Sequence, residues 1–118
     1  MTTQEVADKL VTMCRNGKIE EAKVELFTEE TISVEPREGL LPVETRGLKN
    51  IQKKAELFIS MVQQFYGSRI SDPLVAGEYF TVKWDTDIKM KGQERNTSSE
   101  ICLYKVKDGK IISEQFFY

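Results

Sequence analysis

Carboxyl groups are the side chains best suited to chemistry in this sequence, because the 118-residue chain contains no histidine. This excludes a Ser-His-Asp or Cys-His nucleophile and a histidine-ligated metal. The two cysteines, Cys14 and Cys102, lie far apart and lack the spacing of metal ligands. We interpret them as reduced thiols that pack as small hydrophobic side chains. We therefore expect no metal and no cofactor, and we assign any acid or base catalysis to carboxyl groups.

The first candidate is Glu114, which lies in an apolar C-terminal stretch beside Phe116. A carboxyl group in apolar surroundings has a raised pKa, and this suits a general acid or base near neutral pH. The alternatives are an ion pair with Lys105, with Lys107 or with a partner subunit, or a solvated position at the rim of a sheet.

The second candidate is Glu100, which begins a strand-like segment that carries Cys102 and Tyr104 on one face. Glu100 and the phenol of Tyr104 would lie about 13 Å apart along the strand. At that distance they can bracket a ligand but cannot act together on one atom. The alternative is that Glu100 is a charge at the end of the sheet, paired with Arg95 or Lys89.

A C-terminal β-hairpin is predicted to position both glutamates. Asp108 and Gly109 separate two β-prone runs, 95–107 and 110–118. Asp-Gly is typical of a type I′ turn, in which both central residues have positive φ. With these residues as the loop, the directly opposed pairs are Lys107 with Lys110, Val106 with Ile111, Tyr104 with Ser113, Leu103 with Glu114, Cys102 with Gln115, and Ile101 with Phe116.

The predicted register divides the candidates between two faces, because directly opposed residues point to the same side of a sheet. Glu114 and Phe116 share one face, and Glu100 and Tyr104 share the other. Both faces are largely apolar, whereas a sheet with one wet face alternates cleanly between apolar and polar residues. We therefore expect helices to cover one face and a second layer or a partner subunit to cover the other.

Length and composition predict one domain over residues 1–118. The chain is 40% hydrophobic and 31% charged, with a net charge of −2. No cluster of lysine and arginine is interleaved with aromatic residues, so we expect no nucleic-acid partner. No apolar run approaches the roughly 18 residues of a membrane span, and the N-terminus does not look like a signal peptide. We expect a cytoplasmic protein without a membrane partner.

Hydrophobic periodicity predicts three helices and a set of long strands. Thr2 and Glu5 fit a capping box at the start of the first helix. Three helices and a series of antiparallel strands predict an α+β fold, with the helices packed on one face of a curved sheet. The predicted helices are 2–15, 19–27 and 47–64, and the predicted strands are 31–35, 68–76, 78–91, 95–107 and 110–118.

This order of elements resembles the nuclear transport factor 2-like superfamily, and most closely its SnoaL-like domains. The resemblance covers nearly the whole chain, and its most specific segments are 71–77 (SDPLVAG) and 106–111 (VKDGKI). It implies a cystatin-like cone in which a strongly bent antiparallel sheet wraps round three N-terminal helices. It also implies an apolar pocket at the open end of the cone and a homodimer formed through the outer face of the sheet.

Relatives in this superfamily include ketosteroid isomerase, scytalone dehydratase, limonene epoxide hydrolase, polyketide cyclases and non-enzymatic binding domains. The dehydratase type relies on histidine, which this chain lacks. The cyclases and epoxide hydrolases place an aspartate in the last strand. That place falls nearest Phe116 here, with Glu114 one pleat earlier on the same face. Among the aromatic and apolar residues, we expect Trp84, Phe58, Phe65, Phe116 and Met61 to line this pocket; the alternative is that they are ordinary core residues.

Two functions follow from these observations. The first is a small-molecule pocket protein that acts as a cofactor-free isomerase, dehydratase or cyclase on an apolar carbonyl compound, with Glu114 as base and a tyrosine hydroxyl or second carboxylic acid as proton donor. The second is a non-catalytic dimeric module that binds an apolar ligand or a protein. In either case, Glu35 and Arg46 flank a loop over 36–46 and are candidates to orient the polar end of a ligand.

Overall fold

Three helices and seven strands make up the computed structural model, which describes residues 1–118. The α+β class predicted from the sequence is confirmed. The helices are α1 (Thr3–Arg15), α2 (Ile19–Leu26) and α3 (Leu48–Ser60). The strands are β1 (Phe27–Val34), β2 (Glu44–Arg46), β3 (Val62–Ile70), β4 (Leu74–Ala76), β5 (Tyr79–Met90), β6 (Arg95–Lys107) and β7 (Lys110–Phe117).

The predicted capping box opens α1. The Glu5 amide donates to the Thr2 hydroxyl over 3.1 Å, and the Thr2 amide donates to the Glu5 carboxylate over 3.0 Å. Two amide groups that the helix cannot pair internally are thus satisfied. No helix is long and apolar enough to cross a membrane.

The predicted helix over 47–64 is wrong at its C-terminal end. α3 ends at Ser60, and the chain enters β3 at Val62. Phe65 pairs with Ile88 of β5, so the backbone hydrogen bonds of this segment go to a neighbouring strand. Aromatic and β-branched side chains suit that environment, and the strand partner outweighs the local helical period.

The sheet is curved, unclosed and mixed. Its strands follow the order β2-β1-β7-β6-β5-β3. The short strand β4 pairs with the first residues of β5, and β3 pairs with the rest of β5. All pairs are antiparallel except β1 and β7, which run parallel. Through this parallel pair, β1 is hydrogen-bonded to β7 of the C-terminal hairpin.

The C-terminal hairpin forms as predicted at its turn, but its register changes beyond the first two pairs. Asp108 and Gly109 have φ values of 52° and 74°, and Val106 opposes Ile111. The next pair is Lys105 with Ser113, so Ile112 is an extra residue in a β-bulge. The predicted pairing of Leu103 with Glu114 is therefore wrong.

The bulge moves Glu114 to the other face of the hairpin. Tyr104 now opposes Glu114, and Cys102 opposes Phe116. The prediction that Glu114 and Tyr104 lie on opposite faces is wrong, because one extra residue reverses the alternation of every later side chain. The inner face of the sheet therefore carries both glutamate candidates.

The hydrophobic core lies between this inner face and the helices. It includes Leu10 of α1, Leu26 of α2, Ile51 of α3, and Phe80 and Val106 of the sheet. On the outer face, the directly opposed Ile101 and Phe117 are 44% and 45% exposed. That face is uncovered in the single chain, and the homodimer stays a prediction.

Substitution of two isoleucines in α3 tests which side of this helix packs against the sheet. Ile51 is 1% exposed and Ile59 is 61% exposed. We expect Ile51→Ala to lower the free energy of unfolding by about 2–5 kcal/mol, because it removes packed methyl groups and leaves a cavity. Ile59→Ala is the matched control and should change it by about 0.5 kcal/mol or less. Equal losses in urea unfolding would contradict the observed orientation of α3.

Candidate functional site

The inner face of the sheet carries Glu100, Glu114 and Tyr104. Glu100 is directly opposed to Trp84 of β5, and Glu114 to Tyr104 of β6. Residues two apart along a strand share a face, so Glu100 and Tyr104 point to the same side of β6. All three predicted catalytic residues thus lie on the face that packs against the helices.

A row of polar side chains crosses four strands at the level of Glu114. Thr45 opposes Ser33, Ser33 opposes Glu114, and Glu114 opposes Tyr104. We call these four residues the polar row. All four are buried, and Phe80 continues the row by stacking on Tyr104 with ring centroids 4.7 Å apart.

Lys54 of α3 reaches this row from the helix layer. Its ammonium donates to the Ser33 hydroxyl over 2.6 Å, and that hydroxyl donates to the Glu114 carboxyl group over 2.7 Å. Lys54 follows Ile51 by three positions, so both side chains lie on the side of the helix that faces the sheet. The Lys54 side chain is only 8% exposed.

Lys54 also forms a buried ion pair with Glu35, the residue that follows β1. The Lys54 Nζ and Glu35 Oε2 atoms are 3.1 Å apart, and both side chains are less than a tenth exposed. The phenol of Tyr118 donates to the other Glu35 oxygen over 2.9 Å. The Lys54 Nζ also lies 5.2 Å from the centre of the Phe116 ring, within the range of a cation–π contact.

Glu100 is half-buried beside Cys102, whose thiol donates to it over 3.7 Å. Burial, reinforced by the charge of Glu35, raises the pKa of Glu100 to about 7. The predicted alternative of an ion pair with Arg95 or Lys89 is wrong. Arg95 binds Asp87 over 2.8 Å, and Lys89 binds a glutamine of β3.

The other two inner-face candidates also have raised pKa values. Burial raises the pKa of Glu114, although the hydrogen bond from Ser33 opposes the shift. Burial also raises the pKa of Tyr104 well above its ordinary value. The face therefore offers one carboxyl group that changes charge near neutral pH and two deeper groups whose neutral forms are favoured by burial.

The predicted pocket residues occupy different environments. Trp84 is half-buried and lines a cavity of about 210 Å³ between the end of α1 and β3. Phe116 and Met61 are half-buried, but Phe58 and Phe65 are 37% and 59% exposed. The structure places Trp84 and Phe116 beside the candidate acids, and it leaves Phe58 and Phe65 at the surface.

Sequence reasoning missed Lys54, Ser33 and Thr45 as members of this site. Lys54 follows Ile51 by three positions in the predicted third helix, so the two share one side of that helix. A lysine at such a position is the one signal that could have identified it. No group of histidine, cysteine, aspartate or glutamate side chains is arranged to hold a metal ion.

Comparisons with known proteins agree with this architecture. The family model of the SnoaL-like domain matches residues 1–118. A Mesorhizobium loti protein provisionally described as a SnoaL-like polyketide cyclase is 28% identical, with a TM-score of 0.94 over 100% of both chains. No curated protein matches the chain.

More distant structures share the fold. A Xanthomonas campestris protein of unknown function with a cystatin-like fold is 18% identical, with a TM-score of 0.84 over 99% of this chain and 90% of that one. TerC, co-crystallised with polyporic acid, is 14% identical, with a TM-score of 0.76 over 98% of this chain and 90% of that one. The cystatin-like fold predicted from the sequence is confirmed.

The shifted carboxyl groups predict how stability depends on pH. In the folded state Glu100 and Glu114 retain protons that the unfolded chain releases at their ordinary pKa of 4.5. The free energy of unfolding should therefore fall as pH rises from about 4.5 to about 7. Glu100→Gln should flatten this slope in urea unfolding series, whereas Glu94→Gln, an exposed control, should preserve it. An unchanged slope in Glu100→Gln would contradict the shift.

The buried cation gives a second prediction. Lys54→Met leaves Glu35 buried without its partner, so we expect a loss of about 3–5 kcal/mol of unfolding free energy at neutral pH. Adding Glu35→Gln should recover a large part of that loss, because no uncompensated charge remains. Lys49→Met, at an exposed position of α3, is the matched control. Additive effects of Lys54→Met and Glu35→Gln in urea unfolding would contradict the coupling.

Proposed function

The chain belongs to the SnoaL-like domain family, and we propose that it is a small-molecule pocket protein that carries out cofactor-free acid/base chemistry on an apolar carbonyl compound. The observation that carries this proposal is the position of Glu100. It is a half-buried carboxyl group whose pKa is raised to about 7, and it lies on the same inner face as Glu114 and Tyr104. A pKa near the working pH is what general acid or base catalysis requires.

We assign the base to Glu100 rather than to Glu114. Glu114 is 4% exposed and already accepts a hydrogen bond from Ser33, so a substrate has less access to it. In its ionised form Glu100 would take a proton from the carbon next to a carbonyl group. As a neutral acid it would then return that proton to another atom of the same molecule. Isomerisation, dehydration and aldol-type cyclisation all use this removal of a proton next to a carbonyl group and its return to another atom.

Lys54 is the group best placed to stabilise the negative charge that develops on the substrate. Its ammonium has three N–H donors, and Ser33 and Glu35 occupy two of them. A fixed cation in a site of low polarity favours an enolate over the neutral carbonyl compound.

Tyr104 and Glu114 are assigned to supporting roles, because both are buried and less accessible to a substrate. Tyr104 lies about 13 Å along β6 from Glu100, so the two would not act on the same atom. Glu114 is joined to Lys54 through the Ser33 hydroxyl, so it would help to hold Lys54 in place. Trp84 and Phe116, which lie between the helices and the sheet, would contact the apolar body of the ligand.

Similar proteins support a ligand of this kind. TerC, which has the same fold, was co-crystallised with the small molecule polyporic acid. The Mesorhizobium loti protein, at 28% identity, is provisionally described as a polyketide cyclase. The free thiols of Cys14 and Cys102 are consistent with our assignment to a reducing cytoplasm.

The second candidate function is a non-catalytic dimeric module that binds a ligand or a protein. The exposed apolar pair Ile101 and Phe117 on the outer sheet face favours a homodimer through that face. The chain also lacks the histidine and the terminal-strand aspartate to which relatives owe their activity. In this case the inner face would bind a ligand without changing it.

Hydrogen exchange into a ligand separates the two functions. A thermal-shift screen of apolar cyclic and aromatic ketones identifies binders, and NMR in D₂O then follows loss of the hydrogens next to the carbonyl group. We expect the wild-type protein to catalyse this exchange, with a rate that rises through about pH 7 as Glu100 ionises. Glu100→Gln should lower the rate about 100-fold or more.

Glu94→Gln is the control for this experiment, because it removes an exposed glutamate outside the inner face. Binding without exchange would support the non-catalytic module. Equal exchange rates for the wild type and Glu100→Gln would remove Glu100 as the base. The absence of any thermal shift across the ketones would count against both functions.

A further inference from the structure

A cleft of about 400 Å³ lies between β2 and the first half of α3. Thr45 and Lys54, which are buried, line its inner part. Arg46, Asn50 and Lys53, which are exposed, line its opening. The volume is at the lower end of the range for small-molecule sites. Thr45 and Lys54 also belong to the inner-face site, so the cleft adjoins that site.

The charges around the cleft favour an anion. Arg46 and Lys53 face a single lining acid, Glu44, while the charge of Lys54 is paired with Glu35. Lys53 forms no ion pair, and the one ion pair of Arg46 is an exposed contact of 3.7 Å with a β1 glutamate. Such exposed pairs contribute little free energy, so Arg46 remains free to bind a ligand.

Thr45 provides an independent observation that points to a ligand. Its hydroxyl oxygen is the only buried side-chain nitrogen or oxygen atom in the chain without a hydrogen-bond partner. Buried polar groups in native proteins nearly always have a partner, so an exception calls for an explanation. Asn50 and Lys53 lie on the same cleft and can supply further N–H donors to a ligand beside Thr45.

We propose that this cleft binds a small oxyanion, the carboxylate or phosphate group of a small metabolite. Lys53 and Arg46 would hold its charge at the opening, and the Thr45 hydroxyl, whose oxygen is buried in the free chain, would rotate toward the cleft to donate to one of its oxygens. Both sources present the same chemistry, a compact group of negatively charged acceptor oxygens. The site does not require catalysis by Glu100, so it stands or falls separately from the proposed function.

Titration with two probes tests the site. Inorganic phosphate and succinate are added separately at constant ionic strength, and two-dimensional NMR follows the backbone signals of residues 44–57. We expect saturable shifts with at least one probe. Lys53→Gln should weaken binding about tenfold, because a charge-assisted hydrogen bond is lost. Lys107→Gln makes the same change of net charge at the hairpin turn and should leave the affinity unchanged.

Thr45 variants complete the test. Thr45→Val should weaken binding, while the free protein keeps its stability or becomes more stable, because an unpaired hydroxyl is removed. Thr45→Ser keeps the hydroxyl and should keep the affinity. Glu100→Gln should bind the anion like the wild type.

Three results would overturn the site. They are the absence of saturation with either probe, equal affinities for Lys53→Gln and Lys107→Gln, and equal affinities for Thr45→Val and Thr45→Ser. A preference for phosphate or for succinate supports the site and identifies the source of the oxyanion.

Discussion

One ammonium group, that of Lys54, faces three buried or half-buried carboxyl groups on the inner face of the sheet. Glu35 receives a direct ion pair, and Glu114 is reached only through the Ser33 hydroxyl. Removing several carboxylates from water costs more free energy than a single cation returns. The pKa of Glu114 is therefore raised, and the pKa of Glu100 moves to about 7. The position of Lys54 depends in turn on the packing of α3 through Ile51.

The β-bulge at Ile112 determines which side chains lie near the Lys54 ammonium. Without the extra residue, Glu114 and Phe116 would point to the outer face, and Tyr104 would oppose Ser113. With it, Glu114 completes a polar row that runs from Thr45 to Tyr104 across four strands. Bulges often redirect side chains near functional sites, and this one moves a carboxyl group into the helix-covered side of the fold.

The fold was largely predictable, whereas the site was predictable only in its residue types. The Asp108 turn and the capping box at Thr2 are local features, and both were identified correctly. The bulge at Ile112 has no local signature, because its neighbours suit either register. The contact of Lys54 with Ser33 joins residues 21 positions apart, so it forms only when α3 packs on the sheet. Glu100 and Glu114 were both candidates in the sequence, but the predicted register placed them on opposite faces of the hairpin.

The most direct test of this account is a titration of the glutamate side-chain carboxyl carbons by NMR, with Glu100→Gln and Glu114→Gln used for assignment. Because three carboxyl groups lie near the single ammonium of Lys54, we expect Glu100 to titrate near pH 7 and Glu114 to titrate above 4.5, the ordinary pKa of a glutamate. We also expect Lys54→Met to raise the pKa of Glu100 further, since a stabilising positive charge is lost. Titration of both carboxyl groups near pH 4.5, unaffected by Lys54→Met, would contradict this account.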